Sequence, residues 1–445
     1  MIDDRTLISD LAGVIAAADH FARWGSRELY RYQGGVFRAG GEWFVRQRVK
    51  HLLGEFHKLD RWHRRLADEV IEFLLLDAPE LPLIPPAEVL NLENGLFHIW
   101  DQRLRPHSPA FLSTIRIPVA YRETATCPAI ETFVHQVFPA DCLELVWEIL
   151  GDLITPERSI QKAACLVGGG GNGKSTFLQL ASRFVGLDNV CHLSLQRLER
   201  DRFAAARLFG KLANICPDLP SEPLVDSAVF KSITGGDRIT AEQKYRDSFE
   251  FTPFVRLLFS ANQLPVNRYS SRAYCERWLI IPFERSFRNT RREIPRQVLD
   301  QDLSRPDELS GALNCALPAI RRLRASGRFS AGPRTVLRPE TCVHRDDPCL
   351  SWLETEIQWN PAALMAQDEL YGGYAQSCRE QNRPPLTKQM FGRMLREWRP
   401  NLQEAQRVLD GRRQWVYLGL ERRNGHAAPY PSPESLDISE RYPDQ

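Results

Sequence analysis

A chain of 445 residues, 43% hydrophobic and 26% charged, is too long for one ordinary core, and about two to four domains are expected. Its formal net charge of +2 excludes a polycation, so any nucleic-acid site has to be a local basic surface. The ten cysteines contain no CxxC pair, and Cys342, His344 and Cys349 lack zinc-site spacing, which points to a reducing, cytoplasmic setting. The start, MIDDRTLISDL, is acidic where a signal peptide is basic, and no apolar run approaches the roughly 18 residues of a membrane span. No membrane partner is expected.

In chain order, ELYRYQGGVFRAGGEWFVR alternates aromatic and polar residues around Gly34-Gly35 and Gly40-Gly41, which predicts a small strand meander. A helix-like stretch follows through His51. LPLIPPAEVL, NLENGLFHIW and RLRPHSPAF read as a loop-rich zone before CLELVWEILGDLI resumes helical spacing. The apolar run AACLV, Ala163 to Val167, enters a glycine loop, and STFLQLASRFVG after it has helical periodicity. KLANIC, VRLLFSAN and WLIIPF are predicted as further buried strands of one parallel sheet.

Beyond Phe283 a basic segment with Arg285, Arg288, Arg291 and Arg292 leads to ELSGALNCALPAIRRLRASG, read as a lid or linker helix ended by Gly327. From Asp347 the pattern becomes helix, helix, then two alternating runs about Asp410-Gly411, a hairpin signal. The tail after Glu421 is rich in Pro, Ser and Asp, and disorder is expected there. No internal repeat is found.

The glycine loop carries the chemistry. LVGGGGNGKSTF fits G-x-x-x-x-G-K-[ST], spanning Gly168, Gly169, Gly170, Gly171, Asn172, Gly173, Lys174, Ser175 and Thr176. Residues without Cβ let backbone N–H groups approach phosphates at a helix N-terminus, Lys174 neutralises the β- and γ-phosphates of ATP, and Ser175 is the expected Mg²⁺ ligand. Hydrolysis also needs an acidic residue at a neighbouring strand tip, and KLANICPDLPSE supplies Asp218 to hold the metal or activate the attacking water. Pro217 stands where many such motors carry another acid, so either one carboxylate serves or Glu222 assists. Asn262 ends an apolar run with an amide suited to a γ-phosphate or its attacking water. Arg277 precedes the next strand and is the favoured arginine for the transferring phosphoryl, with Arg272 and Arg268 as rivals.

In order and spacing, GGGGNGKST, LANICPDLPSE, FKSITGGDRITAEQKYRDSFEF, LLFSAN and ERWLIIPF resemble the superfamily three helicases, in the branch of poxvirus and phage or satellite-phage primase-helicases. That resemblance implies an α/β fold: a P-loop AAA+-like ATPase core with a parallel sheet, flanked by an α+β N-terminal domain and a C-terminal winged helix. The expected divisions are an N-terminal domain over 1–130, the ATPase over 131–290, a helical linker or lid over 291–340, the winged helix over 341–421 and a tail over 422–445. It further implies a homo-hexameric ring on single-stranded and forked DNA. A hairpin following Thr234 to Asp237 would enter the pore, with Lys244, Arg238, Tyr245 and Arg246 near the DNA. Lys388, Arg393 and Arg412 belong to the winged-helix surface.

Relatives often carry a primase domain ahead of the motor, and this chain has no room for one before the meander, so a separate primase and host replication proteins are the expected partners. Two other classes stay open. One is a P-loop protein remodeller or kinase; a remodeller would favour an aromatic-hydrophobic pore loop, whereas ITAEQKYRD is polar and short. A non-enzymatic initiator would use ATP only as a conformational ligand, and Pro217 keeps that alternative open.

Overall fold

The computed structural model describes residues 4–423 apart from 26–27, 157–158, 221–223, 225–227, 245–246, 263–271, 292, 333–334, 336–347, 382, 400 and 410. Contacts divide the described chain into two units, one reaching residue 335 and the other starting at 348. No helix among the described residues is long and apolar enough to cross a membrane.

The first unit opens with α1 (Asp4–Ala18), the strands β1 (Phe21–Trp24), β2 (Glu28–Gln33) and β3 (Val36–Ala39), then α2 (Gly41–Glu55) and α3 (Arg64–Asp77). The strands form an antiparallel meander in which β2 and β3 turn at Gly34-Gly35 as expected, whereas β1 precedes the expected stretch and EWFVR is helical, Gly40 being the N-cap of α2 at φ +95° and not a second strand turn. Val45, Val49 and Leu52 on α2, and Leu66, Val70 and Leu74 on α3, recur at helical spacing and close one apolar core with Leu11 and Ile15 of α1. The zone read as loops contains a second antiparallel sheet, β4 (Val89–Leu92), β5 (Gly95–His98) and β6 (Arg103–Arg105), with β4 and β5 joined by a turn at Glu93-Asn94. Its strands are only three or four residues long, too short for alternation to show against the surrounding prolines.

Two helices, α4 (Pro128–Val137) and α5 (Leu143–Leu153), lead into the main sheet. Then follow β7 (Ala163–Val167), α6 (Lys174–Val185), β8 (Val190–Cys191), α7 (Leu195–Arg200), β9 (Ala213–Cys216), α8 (Ala228–Gly235), the hairpin β10 (Ile239–Ala241) and β11 (Phe249–Phe251), β12 (Arg256–Ala261), α9 (Arg272–Cys275) and β13 (Trp278–Pro282). The sheet order is β13-β7-β12-β9-β8, and all four pairings are parallel. All six residues of β12 are buried, as a central strand covered on both faces requires. Its one charge, Arg256, pairs with the buried Asp152 of α5 at 3.0 Å.

After α10 (Arg296–Leu303), the long α11 (Pro306–Ser326) lays Leu313, Ala316 and Ile320 into the same core as α5 and β7. Gly151 lets the two helices meet, since a Cβ there would lie 2.6 Å from Ile320 Cγ1. Elsewhere in this unit a chain of rings joins the meander to the hairpin. Trp24 of β1 contacts Phe209 with centroids 4.7 Å apart, and Phe209 meets Phe249 at 5.5 Å and Phe251 at 5.4 Å.

The second unit comprises α12 (Pro348–Glu356), β14 (Ile357–Ala366), α13 (Gln367–Glu380), α14 (Lys388–Trp398), β15 (Glu404–Leu409) and β16 (Arg412–Arg422). Its antiparallel sheet runs β14-β16-β15. The expected hairpin is β15-β16, whereas β14 was not anticipated: its register breaks between Trp359 and Leu364, around Asn360-Pro361, which destroys the alternation that marks a strand.

Candidate nucleotide-binding site

The parallel pairing places the carboxyl ends of β7, β12 and β9 side by side, where open α/β sheets bind ligands. The glycine loop leaves β7 and ends at α6, and each special residue has a local cause. Gly168 passes so close to the end of β13 that a Cβ would lie 2.2 Å from the Phe283 carbonyl oxygen. Gly173 caps α6 at φ +90°, a left-handed conformation open to glycine at little cost, and a Cβ there would press on Val137 of α4. Gly169 and Gly170 face open space. The N–H groups at the start of α6 lack helical acceptors and carry the positive end of the helix dipole.

Lys174 is buried, with its ammonium donating to the carbonyls of Gly168, at 2.6 Å, and Gly169, and to Asn172 Oδ1 at 3.1 Å. Burial lowers its pKa below the ordinary lysine value, while Asp218 and Cys165 pull the other way. Asn172, also buried, donates from Nδ2 to the Phe283 carbonyl at 3.1 Å. It therefore ties the loop's lysine to the end of β13, a bracing role that its place inside a glycine motif conceals.

Asp218 stands exposed just beyond β9, at φ +50°. Few non-glycine residues adopt this backbone, and aspartate is among those that do. Its N–H donates to Ser260 Oγ at 3.1 Å, and the N–H of Leu219 donates to the Ser260 carbonyl at 2.8 Å. Asn262 follows directly after β12. Because β12 lies between β7 and β9, Asn262 stands between the glycine loop and Asp218. The residues Gly169 to Thr176, Asp218 and Asn262 line one cleft of about 540 Å³.

The cleft includes residues that sequence reasoning did not assign to it. Phe133, Gln136 and Val137 come from α4, and Phe287, Arg288 and Arg296 from the segment after β13 and from α10. That segment is laid across the loop by hydrogen bonds from Phe287 N to the Gly171 carbonyl at 2.7 Å and from Ser286 Oγ to the Gly170 carbonyl at 3.3 Å. The arginine-rich run after Phe283 was the available signal, and the i, i+4 pair Phe133 and Val137 was another.

Arg277 is not in this cleft. It precedes β13, paired in parallel with β7, and its carbonyl accepts from Ala163 N at 2.8 Å, so it sits at the opposite end of the sheet. The five residues of β7 separate it from the glycine loop by roughly 17 Å at the usual strand rise. Its Nη1 donates to the Ala273 carbonyl at 2.8 Å. Of its rivals, Arg272 begins α9 and Arg268 lies outside the described residues, as does Glu222.

Among the DNA-directed residues, Arg238 adjoins β10 and pairs with Glu250 at 2.8 Å. Lys244 is exposed in the connection between β10 and β11, its ammonium 5.8 Å from the centre of the Phe203 ring. Tyr245 and Arg246 lie outside the described residues. In the second unit Lys388 pairs with Asp368, Arg393 lies exposed on α14, and Arg412 is exposed at the start of β16.

Three family models match separate stretches. Residues 23–139 match the family described as D5 N terminal like, 166–277 a family of unknown function (DUF5906), and 347–424 the RFX DNA-binding domain. A protein of Acanthamoeba polyphaga mimivirus named as a candidate helicase, L207/L206, is 25% identical over 211 residues, which is 45% of this chain and 22% of that protein. The match thus spans about a fifth of that relative. Two apo structures of the NrS-1 C-terminal region align over 92% of this chain and 98% of theirs at 11% identity, with TM-scores of 0.49 and 0.48. The D5-type N-terminal segment and the viral helicase relative agree with the motif order of the sequence: the chain is similar to the superfamily three primase-helicases of viruses and phages.

Proposed function

We propose that the chain is an ATP-dependent DNA helicase acting as a ring in the replication of a phage, plasmid or integrated element. The observation that carries this reading is the convergence of Lys174, Asp218 and Asn262 on one cleft from the tips of three adjacent parallel strands. A triphosphate fits the residues present: glycines open to approach, a helix N-terminus, and a buried ammonium held at the loop. Ser175 and Asp218 would hold Mg²⁺, which neutralises phosphate charge when bound.

The chain's own groups then have separate tasks. Lys174 offsets charge on the outer phosphates, Asp218 takes the proton of the attacking water, and Asn262 orients that water from between them. Arg277 lies too far away to serve its own cleft, which supports its acting on the nucleotide of a neighbouring subunit in a ring. The similarity of residues 347–424 to a DNA-binding domain and the helicase name of the mimivirus relative support DNA as the track. An AAA+-type core and a winged helix are part of the same reading. ATP hydrolysis measured with and without single-stranded DNA, beside mass in solution with ATP, tests it. A monomer whose hydrolysis ignores DNA overturns it.

A further inference from the structure

Cys127 and Cys315 are 188 residues apart, so no spacing rule connects them, yet the fold sets their sulfurs 3.8 Å apart. Glu131, one helical turn after Cys127 on α4, places Oε1 3.9 Å from the Cys315 sulfur, and the three ligand atoms all lie within 4.8 Å of one another.

Close backbone packing builds this corner. Gly311 of α11 abuts residue 126 so tightly that a Cβ would lie 2.2 Å from the Thr126 carbonyl carbon, and Cys315 follows one turn later. Asn314 Nδ2 donates to the carbonyls of Arg122, at 2.8 Å, and Ala125, at 2.9 Å, fixing the approach to Cys127. The buried Glu308 accepts from Ala129 N at 3.1 Å and Ile130 N at 3.0 Å, so it pins the start of α4 and is not a further ligand.

We propose that Cys127, Cys315 and Glu131 bind a thiophilic divalent cation of the zinc type. Two thiolates about 2.3 Å from a tetrahedral ion stand about 3.8 Å apart, and two sulfurs with one carboxylate form a three-ligand set that leaves a fourth position to water. A disulfide would draw the sulfurs to about 2.05 Å and has no use for Glu131. The ion staples the start of α4 to α11. The same helix α4 lines the nucleotide cleft with Phe133 and Val137, so the staple bears on the cleft wall.

The test uses the full chain, reduced with a phosphine and titrated with Zn²⁺ or Co²⁺. One ion per chain should survive desalting, Co²⁺ should give a thiolate charge-transfer band, and Zn²⁺ should raise the Tm. Band and ion should be lost in Cys127→Ser and Cys315→Ser and weakened in Glu131→Gln, while the Cys342→Ser/Cys349→Ser variant keeps both. Should the buried Cys127→Ser variant fail to fold, the partly exposed Cys315→Ser decides. A folded wild-type chain that retains no ion, or a band that persists in Cys315→Ser, overturns the proposal. Formation of a Cys127–Cys315 disulfide in a chain that binds no cobalt also overturns it, and makes the pair a redox couple.

Discussion

The N–H of Asp218 donates to the Ser260 hydroxyl at 3.1 Å, so the acid at the tip of β9 hangs from the strand beside it. Asp218→Asn should bind ATP and hydrolyse it about 10² to 10³ times more slowly, a loss typical of one preorganised charge-handling group. Ser260→Ala should give a smaller fall in turnover with little change in nucleotide affinity, because it frees the left-handed turn without removing the carboxylate. Steady-state hydrolysis beside nucleotide-binding titration separates the two. Full activity in Asp218→Asn, with loss confined to Glu222→Gln, would reassign the acid.

Lys174→Ala removes a buried ammonium that braces Gly168, Gly169 and Asn172. ATP hydrolysis should become undetectable, while circular dichroism keeps the wild-type form. Hydrolysis at the wild-type rate in the folded variant would show that the lysine does not serve the phosphates.

Gly168→Ala asks about the loop's fit instead of its charge. The new methyl would meet the Phe283 carbonyl oxygen at 2.2 Å and Asn172 Nδ2 at 2.8 Å, neither of them the end of a long flexible side chain. Overpacking of this kind costs about 1–3 kcal/mol. Chemical denaturation should register that loss, and an unchanged midpoint would mean that the loop and β13 part easily.

The distance of Arg277 from its own cleft makes complementation informative. Lys174→Ala and Arg277→Ala chains, each inactive alone, should recover partial hydrolysis when mixed, since some interfaces then hold both groups. Rings shown to be mixed that remain inactive would place the arginine's role elsewhere, with Arg272 next to be tested.

Lys244 stands in the hairpin connection, outside the nucleotide cleft. Lys244→Ala should keep basal hydrolysis yet lose stimulation by single-stranded DNA and unwinding of a forked duplex. Losing a phosphate contact should also flatten the salt dependence of DNA binding. Unwinding at the parental rate would remove the hairpin from the DNA path.

What could be read from the sequence follows from the length and purity of each signal. AACLV, KLANIC, VRLLFSAN and WLIIPF are uninterrupted apolar runs, and each contains a strand of the parallel sheet. Lys174, Asp218 and Asn262 could be placed together because strand, loop and helix order constrains where strand tips meet. Val89–Leu92 and Gly95–His98 went unread because four residues among prolines carry too little periodicity, although Asn94, in the two-residue turn between them, was a usable turn signal. Phe133, Arg288 and Cys315 reach their sites through contacts between distant segments, which no local pattern encodes.

The rings of Trp24, Phe209, Phe249 and Phe251 touch in series, and this gives the hairpin a backstop outside the sheet. Phe209 is shared, so a hairpin that swings must either carry Phe209 away from Trp24 or slide past it. Any movement of the hairpin would therefore be resisted through the N-terminal meander. Trimming the indole of Trp24 would remove that resistance from a residue that does not line the nucleotide cleft.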